Sequence, residues 1–165
     1  MSARRFALAL AAVAVLPLLV MPGAQARQAA KVLVFDVSLQ PAGSDVYALP
    51  EEVSYGQGRL VGTTTWGKRS ATVDWMCSHV SSAGTGPAHD LVTITRSDGA
   101  VLALAVTGWV DQGKLRGTVD VIGGKGAYRG ATGTGTVVGV EGEATISLTV
   151  SQGTKRALPR HGIGC

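Results

Sequence analysis

The amino-acid sequence predicts an all-β fold, an eight-stranded antiparallel β-barrel. Three observations carry that expectation. Apolar and polar residues alternate at period two in one short run after another. Glycine, proline, aspartate and serine separate the runs at short intervals. Beyond residue 26 no segment repeats apolar residues at helical spacing for more than a turn or two.

The runs can be taken in order. KVLVFDVSL (31–39) is a first strand, RLVGTTTW (59–66) a second and SATVDWMCSHV (70–80) a third. DLVTITRS (90–97) ends at Asp98-Gly99, a tight-turn dipeptide, and AVLALAVTGWV (100–110) returns as its hairpin partner. DQGK (111–114) turns the chain into LRGTVDVI (115–122). TGTVVGV (134–140) and EATISLTVS (143–151) flank a turn at Glu141-Gly142. Sequential antiparallel strands with no covering helix leave open sheet edges, and closure into a barrel removes them. A two-sheet sandwich is the alternative; no blade-like repeat points to a propeller. A barrel of eight strands is either filled by side chains or holds one small ligand.

Residues 1–26 read as a secretory signal peptide. Arg4 and Arg5 precede an uncharged apolar run from Phe6 to Met21, and Ala24-Gln25-Ala26 supplies the small residues of a cleavage site. The run is about 16 residues, short of the roughly 20 that a spanning helix needs. The expectation is a secreted, extracellular protein with no stable membrane insertion after signal removal. Residues 27–165 then form a single domain with a short C-terminal tail. Without Arg4 and Arg5 the charges nearly balance, too weak a basic excess for a nucleic-acid surface. Cys77 and Cys165 are the only cysteines, and in an exported chain they most simply form one disulfide. It would close a loop of roughly 88 residues, worth about 4–5 kcal/mol by chain entropy.

VIGGKGAYRGATGTGTV (121–137) suggests a phosphate cradle at first sight. The dinucleotide fingerprint fails, because counting from Gly124 places Arg129 where the third glycine belongs. The P-loop fails too, because Lys125 is followed by Gly126 rather than serine or threonine. The residues that follow alternate like a strand, so no helix N-terminus is available for an anion. The stretch is better read as a corner, where glycines permit sharp turns and close chain approach and Tyr128 lays its ring across the barrel end.

This corner resembles the G-G-(T/S/A)-G-x-(F/Y)-x-x-A-x-G signature of the allene oxide cyclase and dirigent protein family. Gly123, Gly124, Gly126, Tyr128, Ala131 and Gly133 fall on its positions, while Lys125 departs from it. RSDGAVLALAVTG, GRLVGTTTW and VLVFDVSL resemble the family's upstream strands more weakly. The resemblance implies a calycin-type barrel that works without a cofactor. Its partner would be a small apolar or phenolic ligand, confined and oriented so that cyclisation, isomerisation or stereoselective coupling follows one course. It also makes a homo-oligomer an open expectation. A ligand carrier without turnover, or a structural or envelope-associated barrel with a filled lumen, are the rival readings.

Asp36 is the first catalytic candidate: it falls near the acidic residue of the family's first strand, and a carboxylate facing the lumen could act as acid or base. Ser38 stands where the plant cyclases carry asparagine. Asp74, Asp120 and Arg129 are candidate ligand contacts, although an outward orientation is the commoner one for such aspartates and the place of Arg129 in the corner favours a structural role. His79 shares a strand face with Trp75 and Cys77 and could act as a base. Cys77, His79, His161 and Cys165 offer zinc-type donors, but C-x-H and H-x-x-x-C are not established zinc spacings, and no metal is expected. No G-x-S-x-G elbow or H-E-x-x-H motif supports a hydrolase.

Overall fold

The computed structural model describes residues 30–153. The signal-peptide segment, His161 and Cys165 lie outside them. The described chain is a closed barrel in which every strand pairs with its neighbour in sequence and β8 closes onto β1. The strands are β1 (Lys31–Ala48), β2 (Val53–Trp66), β3 (Arg69–Ser82), β4 (Thr85–Arg96), β5 (Val101–Asp111), β6 (Lys114–Lys125), β7 (Thr132–Val140) and β8 (Glu143–Ser151). All pairings are antiparallel. The expected all-β barrel is therefore present, and the sandwich alternative is not. No helix among the described residues is long and apolar enough to cross a membrane.

Alternation decides which face of each strand turns inward. On β1, Leu33, Phe35, Val37 and Leu39 are buried while the residues between them are exposed. On β4 the inward set is Ala88, Asp90, Val92 and Ile94, and on β8 it is Ala144, Ile146, Leu148 and Val150. These faces meet in one continuous apolar core. Burial of such side chains stabilises the barrel by roughly 1.5–3 kcal/mol each.

One segment read as a connection is strand. β1 pairs with β8 only as far as Ser38↔Glu143 and with β2 as far as Ala48↔Ser54. Residues 40–48 therefore run past the end of β8 as a ribbon paired with β2 alone, while β2 pairs onward with β3. A register shift between Pro41 and Gly43 marks its start. Residues 40–50 are exposed on both faces, so they carry no apolar alternation to announce a strand.

Antiparallel connectivity places the turns alternately at two ends. At one end lie the β2–β3 and β4–β5 turns, the glycine-rich corner and both ends of the described chain. This end is closed by aromatic rings. Phe35 meets Trp66 edge-on with ring centroids 5.4 Å apart. Trp66 packs against Tyr128 at 4.7 Å, and the Arg96 guanidinium sits 5.1 Å from the centre of the Trp66 ring. Tyr128 ends a short 3₁₀ turn, Gly126–Tyr128, and is buried as expected. The corner begins with a bulge: Leu104 pairs with Val121 and Ala103 with Gly123, so Ile122 is skipped. Gly124 is required here, because a Cβ on it would lie 2.5 Å from the Tyr128 carbonyl oxygen and 2.6 Å from that of Val101.

Candidate functional site

The other end of the barrel is open. Its turns join β1 to β2, β3 to β4, β5 to β6 and β7 to β8. Below them lies a cavity of about 210 Å³. Its walls are largely apolar, with Leu39, Leu60, Trp75, Val110, Leu115 and Ala144 among them. The rest of the lumen, toward the Trp66–Tyr128 closure, is filled by the core. The barrel is thus half filled: neither an empty cup nor a solid plug.

One buried carboxyl group looks into this cavity. Asp90 is 6% exposed and stands directly across from Cys77 in the β3–β4 register. The Trp75 indole Nε1 donates to Asp90 Oδ2 at 2.9 Å, and the Ser78 backbone N–H donates to Oδ1 at 3.3 Å. Two donors from one strand fix the plane of the carboxyl group. Burial nevertheless dominates its titration. It pushes the Asp90 carboxyl above its ordinary value, opposed by the hydrogen bonds from Trp75 and Ser78 and by the nearby imidazoles of His79 and His89. Cys77 donates weakly from Sγ to the Gly58 carbonyl at 3.4 Å. Burial, and then the Asp90 charge, raise its thiol. A thiol so placed is a poor nucleophile at neutral pH.

His79 completes the polar side of the cavity. It pairs with Gly56 on β2 and with Ala88 on β4. A Cβ on Gly56 would come within 2.5 Å of the His79 ring, so glycine lets the imidazole lie against β2. This face of β3, with Trp75, Cys77 and His79 together, agrees with the sequence reading.

The first-strand acid does not. Asp36 lies on the outer face of β1, exposed, and accepts a hydrogen bond from Thr145 Oγ1 at 2.8 Å. Its parity follows Val34 and Ser38, but the larger apolar set of Leu33, Phe35, Val37 and Leu39 takes the interior and turns Asp36 out. The condition for a catalytic role in the lumen is not met. Asp74 likewise points outward and forms a surface ion pair with Arg59 at 2.6 Å. Asp120 is exposed on β6 between buried Val119 and Val121. Arg129 is exposed at the closed end, remote from the cavity by topology. None of these four lines the mouth cavity.

Asp90 was the missed residue. The signal was present in AHDLVTITR, where Asp90 shares parity with Ala88, Val92 and Ile94. A lone acid on the more apolar face of a strand is the mark of a buried carboxyl group. Cys77 is a free thiol among the described residues, and its expected partner Cys165 lies outside them. No group of three or more His, Cys, Asp or Glu side chains among the described residues could hold a metal ion.

The geometry defines a class: a closed antiparallel eight-stranded barrel, sealed at one end and open at the other onto a small, largely apolar cavity with one buried acid, Asp90, and two exposed ones, Glu141 and Glu143, at its edge. Comparison with known proteins agrees at the level of fold. A protein of unknown function of the DUF3224 family from Shewanella oneidensis MR-1 superposes with a TM-score of 0.56 at 15% identity, covering 76% of this chain and 98% of that one. Two pterocarpan synthase dirigent proteins are more distant. One superposes with a TM-score of 0.48 at 15% identity, over 76% of this chain and 96% of its own. The other gives 0.45 at 16% identity, over 75% and 87%. No protein-family model matches the sequence, and no curated protein matches it.

Proposed function

We propose that this protein binds a small apolar or phenolic molecule in the open mouth of the barrel and orients it against Asp90, with no cofactor. The observation that carries the reading is the buried carboxyl group held by two donors inside a largely apolar cavity. Binding pockets commonly combine such apolar walls with a few placed polar groups. The cavity lies below the usual 300–1,000 Å³ range, which limits the enclosed part of a ligand to about one ring. Confinement of that ring beside an acid would steer a cyclisation, isomerisation or coupling by orientation. A carrier without turnover is the second reading. It is favoured by the engagement of both Asp90 oxygens in hydrogen bonds, which suits an anchor as well as an acid. Export through the N-terminal segment and a Cys77–Cys165 disulfide belong to the same proposal; intact mass with and without reductant tests the bond.

The test of the site uses 4-propenylphenol as the probe and amide and indole NMR shifts as the readout. Saturable shifts are expected at the Trp75 indole and around Asp90 and Leu115, with the Trp66 indole unmoved. Shifts confined to the outer face, or none, would overturn the mouth site. Adding a one-electron oxidant then separates the two readings. An enantiomeric excess in the coupled product that is lost in Asp90→Asn supports steering, and racemic product despite saturable binding supports the carrier.

A further inference from the structure

The charges of the described barrel are sorted between its two ends. At the closed end stand Lys31, Lys68, Arg69, Arg96, Lys125 and Arg129, with Asp98 as the one acid among the described residues there. Asp98 is occupied by Arg69 and Arg96, which donate to it at 2.7 and 2.8 Å. The open end reverses the pattern. Asp45, Glu51 and Glu52 lie on the ribbon and its turn, and Asp111, Glu141 and Glu143 on the opposite rim. Asp90 lies below them in the cavity. The bases on this side are Lys114 at the start of β6, Arg116 farther down its outer face, and Arg59, which shares an outer groove with Asp45 and is paired with Asp74. No lysine or arginine lines the cavity, and His79 is its only basic side chain.

Such a cavity offers an anionic head group no lysine or arginine. A carboxylate or phosphate entering it would pass the acidic rim and meet Asp90 with only the His79 imidazole to set against two negative charges, which is costly in an apolar setting. A cation meets the opposite conditions. Acids around an opening of low-dielectric walls concentrate cations and speed their capture. Inside, an ammonium group would offset the burial penalty on the Asp90 carboxylate. The small volume and apolar lining call for a compact hydrocarbon body behind that charge.

We propose that the mouth selects a small organic cation, a protonated primary amine on a single aromatic or aliphatic body, with its nitrogen placed at Asp90. This rests on the mouth-binding reading above and names the charge of the ligand it takes. A wrong charge assignment and a wrong site are separable by experiment.

Three probes share one body and differ in charge: 2-phenylethylamine, 2-phenylethanol and phenylacetate. Each is titrated calorimetrically into the wild-type protein and Asp90→Asn at pH 7, at low and physiological salt. The amine is expected to bind about tenfold or more tighter than the alcohol, the difference that one charge-assisted hydrogen bond supplies. Phenylacetate is expected to bind weakest, and the amine's advantage should fall with salt. Asp90→Asn should level amine and alcohol. An alcohol that binds as well as the amine, a preference for phenylacetate, or an amine preference that survives in Asp90→Asn would each overturn the charge assignment while leaving the mouth as a binding site. Failure of all three probes to bind would overturn this inference together with the mouth-binding reading.

Discussion

The two ends of this barrel are made from the same strands yet solve opposite problems. The closed end is basic, built on glycine turns and packed with Phe35, Trp66 and Tyr128. The open end is acidic, holds a cavity and carries all five of the non-glycine residues with positive φ among those described: Glu51, Glu52, Ala83, Gln112 and Glu141. In three of its turns the residue with positive φ is followed by a glycine that also has positive φ, the backbone of a type I′ hairpin turn. The β1–β2 turn has glutamate at both positions, with φ of 63° and 60°. Packing energy and relaxed backbone are thus concentrated at one end, and strain, charge and empty volume at the other. Functional sites often accumulate such costs while the remaining scaffold offsets them.

The contrast is sharpest in the packing. Trp66→Ala should cost about 3–5 kcal/mol, because it removes the ring that joins Phe35, Tyr128 and Arg96. Leu115→Ala at the half-buried mouth should cost about 1 kcal/mol. Denaturant unfolding of the two variants measures the difference, and equal costs would dissolve the distinction between a closed and an open end.

The acid at the mouth gives the next effect. The folded-state carboxyl of Asp90 titrates above its ordinary value because it is buried. Ionising it therefore costs the folded state more than the unfolded chain. Its contribution to stability falls as pH rises from the ordinary carboxylate range through the folded value. Asp90→Asn should raise Tm at pH 7, and the gain should vanish below about pH 4, where both states of the wild type are protonated. A gain that persists at acid pH would show that charge is not its source.

Relief of turn strain comes next. Glu52→Gly should stabilise the protein by about 0.5–1 kcal/mol, the left-handed penalty less the entropy cost of glycine. The closed-end turns already have glycine at their positive-φ positions, so they offer no such gain. Urea midpoints for Glu52→Gly and for wild type test this, and no shift would mean that the mouth turn stores no strain.

The smallest effect belongs to Asp98. Hydrogen bonds from Arg96, with further help from the Ala100 N–H and from the Arg69 charge, lower its carboxyl to about 2. A depressed folded value contributes stability above the unfolded value near 4, lost as pH falls toward 2. Asp98→Asn should flatten that part of the acid-unfolding curve only slightly, since the pair is surface-exposed. Acid therefore acts oppositely on the two ends, weakening the Asp98 cluster while relieving Asp90.

What was legible in the sequence follows from locality. Period-two alternation and turn dipeptides depend on neighbours within a few residues, so the all-β class and the core of all eight strands could be read directly. The corner was legible too, because steric limits on the Gly124 and Gly126 backbones leave few alternatives. The strand at 40–48 is not legible in the sequence because its residues bury neither face, and Ser54, Gly56 and Gly58 on its β2 partner are too small or too polar to give an apolar period.

The site required the tertiary structure. Parity and the more apolar face indicate that Asp36 turns out and Asp90 turns in, but only the packed barrel shows that Asp90 borders a cavity rather than the filled core. On β1 four apolar residues outweighed Asp36, and on β4 the apolar face carried Asp90 inward with them. The sorting of charge between the ends is likewise invisible along the chain, where acids and bases alternate over the length of the domain. It emerges when antiparallel pairing gathers every second turn at the same end. Local patterns determined the strands; closure of the sheet decided which residues meet, which carboxyl is desolvated, and which end stays open.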